Sequence, residues 1–562
     1  MPNPLPENRK NRTGQTALII LSCMESLVIL TGYNRRATGS VLPIAHPRQI
    51  IFFILLAAVL YALFRGTDLL LNRIITEKEQ HPAKRVPKEK TLFWSFFGAL
   101  LLLWLPYWIP IFPGGAWYDT GAQITQFMGV EPITKANPLL QTALAGGFFR
   151  LGVLLGKAEI GVGLYVALQA IISALVMAYG AVTLYKNNQN LKITAVLLFF
   201  FGINPTVPIY IWNIGKDTNF GIMILLAVIC LANIYREGRL TKADRILFPL
   251  SLVLMALLRN AGIFLAVTFG TAAIFAAQKE APKDQKEKQK RITARGLIAI
   301  LSAASIAIAL LFEVSTDALL HVNKKVNETE NLSIPLLQMA GYITAYPDEL
   351  TEEEKAILDK VINVDEVPAV YNPDISDPLK DAYAGKSPTA EDMKAFWSLY
   401  FRFLSRHPLK FLEVLIAKSY GYFDPFTGRI DKPFTCYGFG QIGGRIEGML
   451  GIQLHSATDD LSAIMNYVSD LENIPVVQLL TRCGFYMALL LYFIFASIRY
   501  RVNRWIILPM AAFAAGLVAT PVNAYFRYNI PLVFCAPFLI LMVYVTERER
   551  RNRKPEEEIQ TV

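Results

Sequence analysis

Charge is scarce in this chain: Asp, Glu, Lys and Arg make up 18% of 562 residues, against a hydrophobic share of 53%. A soluble protein of this length would carry more charge. Cysteines number five and histidines five. Cys23, Cys230, Cys483 and Cys535 fall in or beside apolar segments and Cys436 stands alone, so neither a disulfide framework nor a Cys/His zinc pattern is present. No glycine-rich phosphate-cradling loop of the nucleotide-binding type occurs. Internal repeats and inverted pairs of broken spans, which transporters show, are also missing.

What the chain has instead is apolar stretches near twenty residues, recurring from end to end, each able to cross a bilayer as a helix. About twelve can be read: Thr16–Gly32, Ile50–Leu71, Leu92–Phe112, Ile160–Tyr185, Ile193–Ile211, Asn219–Ile234, Ile246–Leu258, Gly262–Ala277, Gly296–Phe312, Val476–Ile498, Trp505–Thr520 and Ile530–Val545. The expected fold class is therefore an all-α polytopic membrane protein. The seventh and eighth stretches are short and separated only by Arg259-Asn260-Ala261, so a broken hairpin is an alternative there. The net charge is +10, but the basic residues cluster in segments that alternate with the spans, notably Lys78–Lys90, Arg236–Arg245, Lys279–Arg295 and Arg548–Lys554. That is the positive-inside bias of a multi-pass cell-membrane protein with both termini cytoplasmic. It argues against nucleic acid, for which basic and aromatic residues would interleave in a soluble patch. The loop 279–295 reads as a solvated linker that also meets anionic lipid headgroups. The basic-then-apolar start is read as a retained first span, not a cleaved signal.

Two segments on the outer side are too long for turns. One, 113–159, belongs to a first unit of residues 1–314. The other, 315–475, forms an outer domain that is mostly helical and has no obvious core of its own. Residues 476–562 supply the last spans and a basic cytoplasmic tail. Helix starts are legible at Thr351-Glu352-Glu353-Glu354 and at Ser387-Pro388-Thr389-Ala390-Glu391. The second helix is expected to run through Trp397 and Phe401 and to break at Tyr420–Pro425.

Four polar sites share the outer side on this topology: Asp119 in Trp117-Tyr118-Asp119-Thr120-Gly121-Ala122-Gln123, Lys216-Asp217 in a tight turn, Arg259-Asn260, and Arg527-Tyr528. Singly, each could be an anchoring charge at a span end. Together they supply carboxylates for proton abstraction and cations for an anionic leaving group. Glu25 lies inside the first span, where a bond to a neighbouring helix competes with a functional role.

At these residues the sequence resembles the GT-C superfamily of polytopic glycosyltransferases, in particular uncharacterised bacterial members from Gram-positive organisms. The pattern is Tyr118-Asp119-Thr120-Gly121-Ala122-Gln123, Asn137-Pro138, Lys216-Asp217, Leu258-Arg259-Asn260, Leu332–Gln338 and Phe526-Arg527-Tyr528. The resemblance implies transfer of a sugar from a polyprenyl-phosphate-linked donor to a cell-envelope acceptor on the outer leaflet, with inversion. Asp119 maps onto the base, with Asp217 in reserve. Tyr118, Gln123, Asn137, Lys216, Arg259, Asn260, Arg527 and Tyr528 then become substrate-binding candidates. Two positions depart from the pattern: the first loop has one acid at its motif instead of a pair, and Asn137 stands where relatives often have His. A divalent metal, Mg or Mn, stays open as a cofactor. A flippase or transporter of lipid-linked saccharides is the competing class, and it would need a charged path through the bilayer. A non-catalytic envelope assembly protein is the third.

Overall fold

Lipid offers backbone amides no partner, so a chain dominated by apolar runs must close its hydrogen bonds inside each segment, and it does so as helix. The computed structural model describes residues 7–76, 87–186, 189–277, 285–320, 322, 332–384, 386–428, 439–457 and 473–559, and these are overwhelmingly α-helical. The first unit carries α1 (Glu7–Thr38), α2 (Arg48–Thr76), α3 (Glu89–Trp108), α4 (Tyr118–Phe127), α5 (Leu139–Leu154), α6 (Ala158–Lys186), α7 (Leu191–Ile203), α8 (Thr206–Ile211), α9 (Lys216–Glu237), α10 (Asp244–Leu258), α11 (Gly262–Ala276) and α12 (Gln285–Leu320). Among the described residues, seven helices are long and apolar enough to cross a membrane: Gly14–Thr38, Arg48–Ile75, Glu89–Ile111, Ala158–Lys186, Lys216–Glu237, Gln289–Leu320 and Phe526–Arg551. The other five stretches read from the sequence fall on helices of 11 to 17 residues, among them α7, α10 and α11. At 1.5 Å per residue such helices are shorter than a typical hydrocarbon core of about 30 Å. The turn at 259–261 does separate two helices, α10 and α11.

Position follows from where the apolar residues point. In α2 none of the most apolar window is buried, and Ile51, Phe52, Ile54 and Leu55 face outward, as suits a helix at the lipid boundary. In α9 83% of the window is buried and in the last span 89%, as expected for helices that are apolar all round. These two central helices begin with Lys216-Asp217 and Phe526-Arg527-Tyr528, so the fold brings those polar residues to the axis of the bundle.

The segment 315–475 contains α13 (Ser333–Ala345), α14 (Ala390–Arg406), α15 (Pro408–Ser419) and α16 (Gly440–Leu450), with short helices between them. Both expected helix starts are capping boxes, Thr351 with Glu354 and Thr389 with Asp392. The second helix ends earlier than the sequence suggested. It stops at Arg406, because Pro408 cannot continue it, and α15 restarts there and runs to Ser419. The expectation that this domain lacks a core is also corrected. Leu336, Met339, Tyr342, Phe396, Phe403 and Phe411 belong to a second buried cluster, with Tyr342 stacked on Phe403 at 4.3 Å. The residues that build it lie up to about 80 positions apart, so no local apolar window reveals it. Cys436, His321 and the 279–284 part of the basic loop lie outside the described residues. The final helices are α17 (Cys483–Arg499), α18 (Leu508–Val518) and α19 (Ile530–Ile559).

Candidate functional site

The site begins with a short parallel bridge. Strand β1 (Gly115–Ala116) pairs with β2 (Asn213–Ile214), and Thr120 Oγ1 adds a bond of 2.9 Å to the Ile214 carbonyl. This lays the start of α4 beside the start of α9. Gln169 of α6 holds the β2 side, its amide donating to the carbonyls of Ile211 at 2.6 Å and Asn213 at 3.0 Å. Trp117 stacks on Tyr210 at 4.6 Å and lies so close to Gly215 that a Cβ there would come within 2.7 Å of its ring. Only glycine lets the two turns approach this far.

Two carboxylates and three cations meet at this junction. Asp119 Oδ2 lies 2.8 Å from Lys216 Nζ and 2.9 Å from Arg527 Nη1. Asp217 Oδ1 lies 3.0 Å from Arg259 Nη1, and its Oδ2 is 3.9 Å from Arg527 Nε. Lys216 also donates to Asn137 Oδ1 at 3.0 Å. Tyr528 sits beneath both arginines, its ring 4.8 Å from the Arg259 guanidinium and 5.1 Å from that of Arg527. Its phenol accepts from Arg527 Nη2 at 3.3 Å. The cluster thus holds one cation more than it holds carboxylates, in a half-shielded place where such a surplus attracts an anion.

The two carboxylates differ in reach. The Asp217 side chain is 7% exposed and committed to arginines, whereas that of Asp119 is 30% exposed. Among the described residues no donor meets Asp119 Oδ1. Burial alone would raise the Asp119 carboxyl, but Lys216 and Arg527 reverse that and hold it well below the usual carboxylate range. Asp119 also lies in the first turn of α4, where a negative charge suits the helix dipole.

Two cavities flank the Arg259-Asn260 turn. One of about 220 Å³ is apolar, with Phe264, Leu265, Phe513 and Leu517 in its wall and Arg259 at its rim. The other, about 150 Å³, is polar and includes Lys135, Asn137, Asn260 and Glu313. Asn260 donates to the Lys135 carbonyl at 2.7 Å, and Lys135 pairs with Asp317.

Of the residues singled out from sequence, Asp119, Asn137, Lys216, Asp217, Arg259, Arg527 and Tyr528 are joined in one network, and Asn260 lines the polar cavity beside it. Gln123 is not part of this network. It lies one turn deeper on α4, 1% exposed, with neither side-chain atom hydrogen-bonded. Tyr118 opens α4, and its side chain lies outside the described residues. Glu25 is buried, and among the described residues neither of its oxygens has a hydrogen-bond partner, so the helix-to-helix bond considered for it is not made there. Tyr525, which belongs to the same stretch as Arg527, has its ring 4.5 Å from that guanidinium, and sequence reasoning missed Phe220, 5.5 Å from that of Arg259. Phe220 follows Asp217 by three residues, one helical turn, and that spacing was the available signal.

A divalent ion does not fit this donor set as it stands. Asp119 Oδ2 is bridged by two cations and Asp217 faces two arginines. Among the described residues no group of three or more His, Cys, Asp or Glu gathers to hold a metal.

The chain belongs to a family of unknown function, DUF6020, whose model matches residues 128–557. That span includes Lys216, Asp217, Arg259 and Arg527 and begins just after Asp119. No curated protein and no solved structure matches the chain.

Proposed function

We propose that this chain is a membrane glycosyltransferase that moves a sugar from a polyprenyl-phosphate-linked donor to a cell-envelope acceptor. Transfer takes place at the outer face of the cell membrane, with both termini in the cytoplasm. The observation that carries the reading is the joining of three cations and an accessible carboxylate in one network, one of whose cations, Arg259, lines an apolar cavity. A lipid phosphate has the matching shape, an anionic head on an apolar chain. The motif resemblance to GT-C enzymes supports the same chemistry.

In this reading the donor phosphate lies among Lys216, Arg259 and Arg527, and its first isoprene units enter the cavity beside Arg259. An acceptor hydroxyl donates its hydrogen bond to Asp119 Oδ1. The acceptor oxygen attacks the anomeric carbon, the bond from that carbon to the phosphate oxygen breaks, and the proton passes to Asp119. The lipid phosphate departs as an anion held by the same cations. A carboxylate bridged by two cations is a weak base. As the bond to the anomeric carbon breaks, the phosphate gains a second negative charge, which draws Lys216 and Arg527 from Asp119 and strengthens it as a base. Asp217 positions Arg259 and Arg527 and takes no proton. Asn137 orients Lys216.

The test is transfer itself. The purified chain in liposomes is given polyprenyl-phosphate-linked sugars and envelope acceptors, and released polyprenyl phosphate is measured. Release that requires an acceptor is expected. Tight binding of the donors with no release across such a panel would overturn the enzymatic reading.

A further inference from the structure

At the opposite end of α9 from Lys216 lies a second cationic recess, unrelated to the site above. With 22 residues at 1.5 Å each, α9 runs about 33 Å, close to one hydrocarbon thickness. It ends at Gly238, whose φ of +71° lets the chain turn sharply into the short link to α10. Below that turn is a cavity of about 580 Å³ between the α9–α10 link and the first turns of the membrane-crossing part of α12. Arg239, Arg245, Lys290 and Arg291 line it, against a single carboxylate, Glu237.

Several cations at this end of the bundle are neutralised within the protein. Arg236 is bound to Glu549 and to the Thr183 carbonyl, Arg550 and Arg551 to Glu547, and Arg499 to Asp68. Arg239, Arg245 and Lys290 make no ion pair with any described residue. Three convergent cations left without counter-ions around one cavity call for a mobile anion. The walls say what kind. Leu240 and Leu297 line the recess itself, and away from it the outward faces of the two helices are apolar, with Ile246 on α10 70% exposed and Ile300 on α12 66% exposed. A free phosphate would use the cations and leave these faces unused, whereas a lipid uses both.

We infer that this recess is a binding site for an anionic phospholipid, its phosphate held by Arg239, Arg245 and Lys290 and its acyl chains lying along α10 and α12. The recess is on the membrane face opposite Asp119, so its occupant is a leaflet lipid and not the sugar donor. The inference stands whether or not the chain transfers sugars. α9 and α12 both run from this recess to the candidate site, where they present Lys216 and, lining the cavity beside Asn260, Glu313, so an occupied recess would brace the two helices that carry that site.

The experiment is native mass spectrometry of the full chain released from nanodiscs containing phosphatidylglycerol and phosphatidylcholine. Parental protein should retain phosphatidylglycerol. The Arg239→Gln/Arg245→Gln variant should retain roughly thirtyfold less, equivalent to about 2 kcal/mol for two basic contacts. Arg551→Gln, at the same end but outside the recess, should retain it as the parent does, and the variants' retained phosphatidylcholine reports that each is folded. Equal phosphatidylglycerol retention by parent and double variant would overturn the site. Displacement of the lipid by inorganic phosphate alone would overturn the lipid as its occupant.

Discussion

Two clusters in this molecule are built from an aspartate, arginines and tyrosines, one around Asp68 and one around Asp119, and they do opposite things with the same parts. Asp68 of α2 is 1% exposed. Its Oδ1 accepts from Tyr500 at 2.7 Å and Tyr544 at 3.0 Å, and its Oδ2 meets Arg65 at 3.0 Å and Arg499 at 3.3 Å. Both oxygens are engaged, by three hydrogen bonds and one further ion pair, and the partners come from α2, the end of α17 and α19. The cluster ties these elements together and leaves nothing for a ligand. At Asp119 one oxygen is bridged by two cations, while the other has no partner among the described residues. A buried carboxylate with all its bonds made is a staple, whereas one with an unfilled oxygen, a surplus cation and a cavity alongside is a site. Residue type alone does not distinguish them.

The comparison breaks if the two aspartates respond alike. Asp119→Asn keeps shape and polarity but removes the proton acceptor, so transfer should fall by about a hundred- to ten-thousandfold with the protein still folded. Parental turnover in that variant, with Asp217→Asn inactive, would move the base to Asp217. Arg527→Ala should cost about a hundred- to a thousandfold in turnover, the range seen when one charge-stabilising group is removed. Arg527→Lys should recover only part of this, since a lysine cannot reach Asp119, Asp217 and Tyr528 from one planar fork. Asp68→Asn should show the reverse pattern: a stability loss of about 3–5 kcal/mol in chemical unfolding, because two arginines lose their buried counter-ion, with unchanged turnover per folded molecule.

A smaller effect sharpens the contrast through pH. Lys418 of α15 is buried with its ammonium on the Val518 carbonyl at 2.9 Å, and burial brings its pKa down to about 7. Between that value and the ordinary lysine value of about 10.4 the unfolded chain binds a proton that the folded chain does not, so stability should rise with pH across this window. Below it the full penalty applies. Lys418→Met should flatten the slope in unfolding curves. Asp119 has the same sign in a lower window. Its carboxyl is held low, so the stability its ion pairs contribute is present above the ordinary carboxylate range and is lost as pH falls through that range and below it.

Much of this was legible in the sequence, and for identifiable reasons. Hydropathy windows mark long spans such as α9 because their apolar residues are contiguous. Asp119, Lys216-Asp217, Arg259 and Arg527 stand out because a charge at a span end is costly unless it is used. The windows do not give the length of the helix beneath them: α7 and α11 are equally apolar but 13 and 15 residues long. Nor could they show the bond from Gln169 to β2 or the closing of Arg499 and Tyr500 on Asp68, since those partners are up to about 430 positions apart and follow no period. The outer domain's core escaped notice for the same reason.

Binding of polyprenyl monophosphate to Asp119→Ala tests the central claim most directly. If Lys216 and Arg527 are a phosphate site that Asp119 occupies as an internal counter-ion, removing that carboxylate should tighten binding several-fold while abolishing transfer. Weaker or unchanged binding, in a variant that remains folded, would contradict the claim that this cluster is poised for a lipid phosphate.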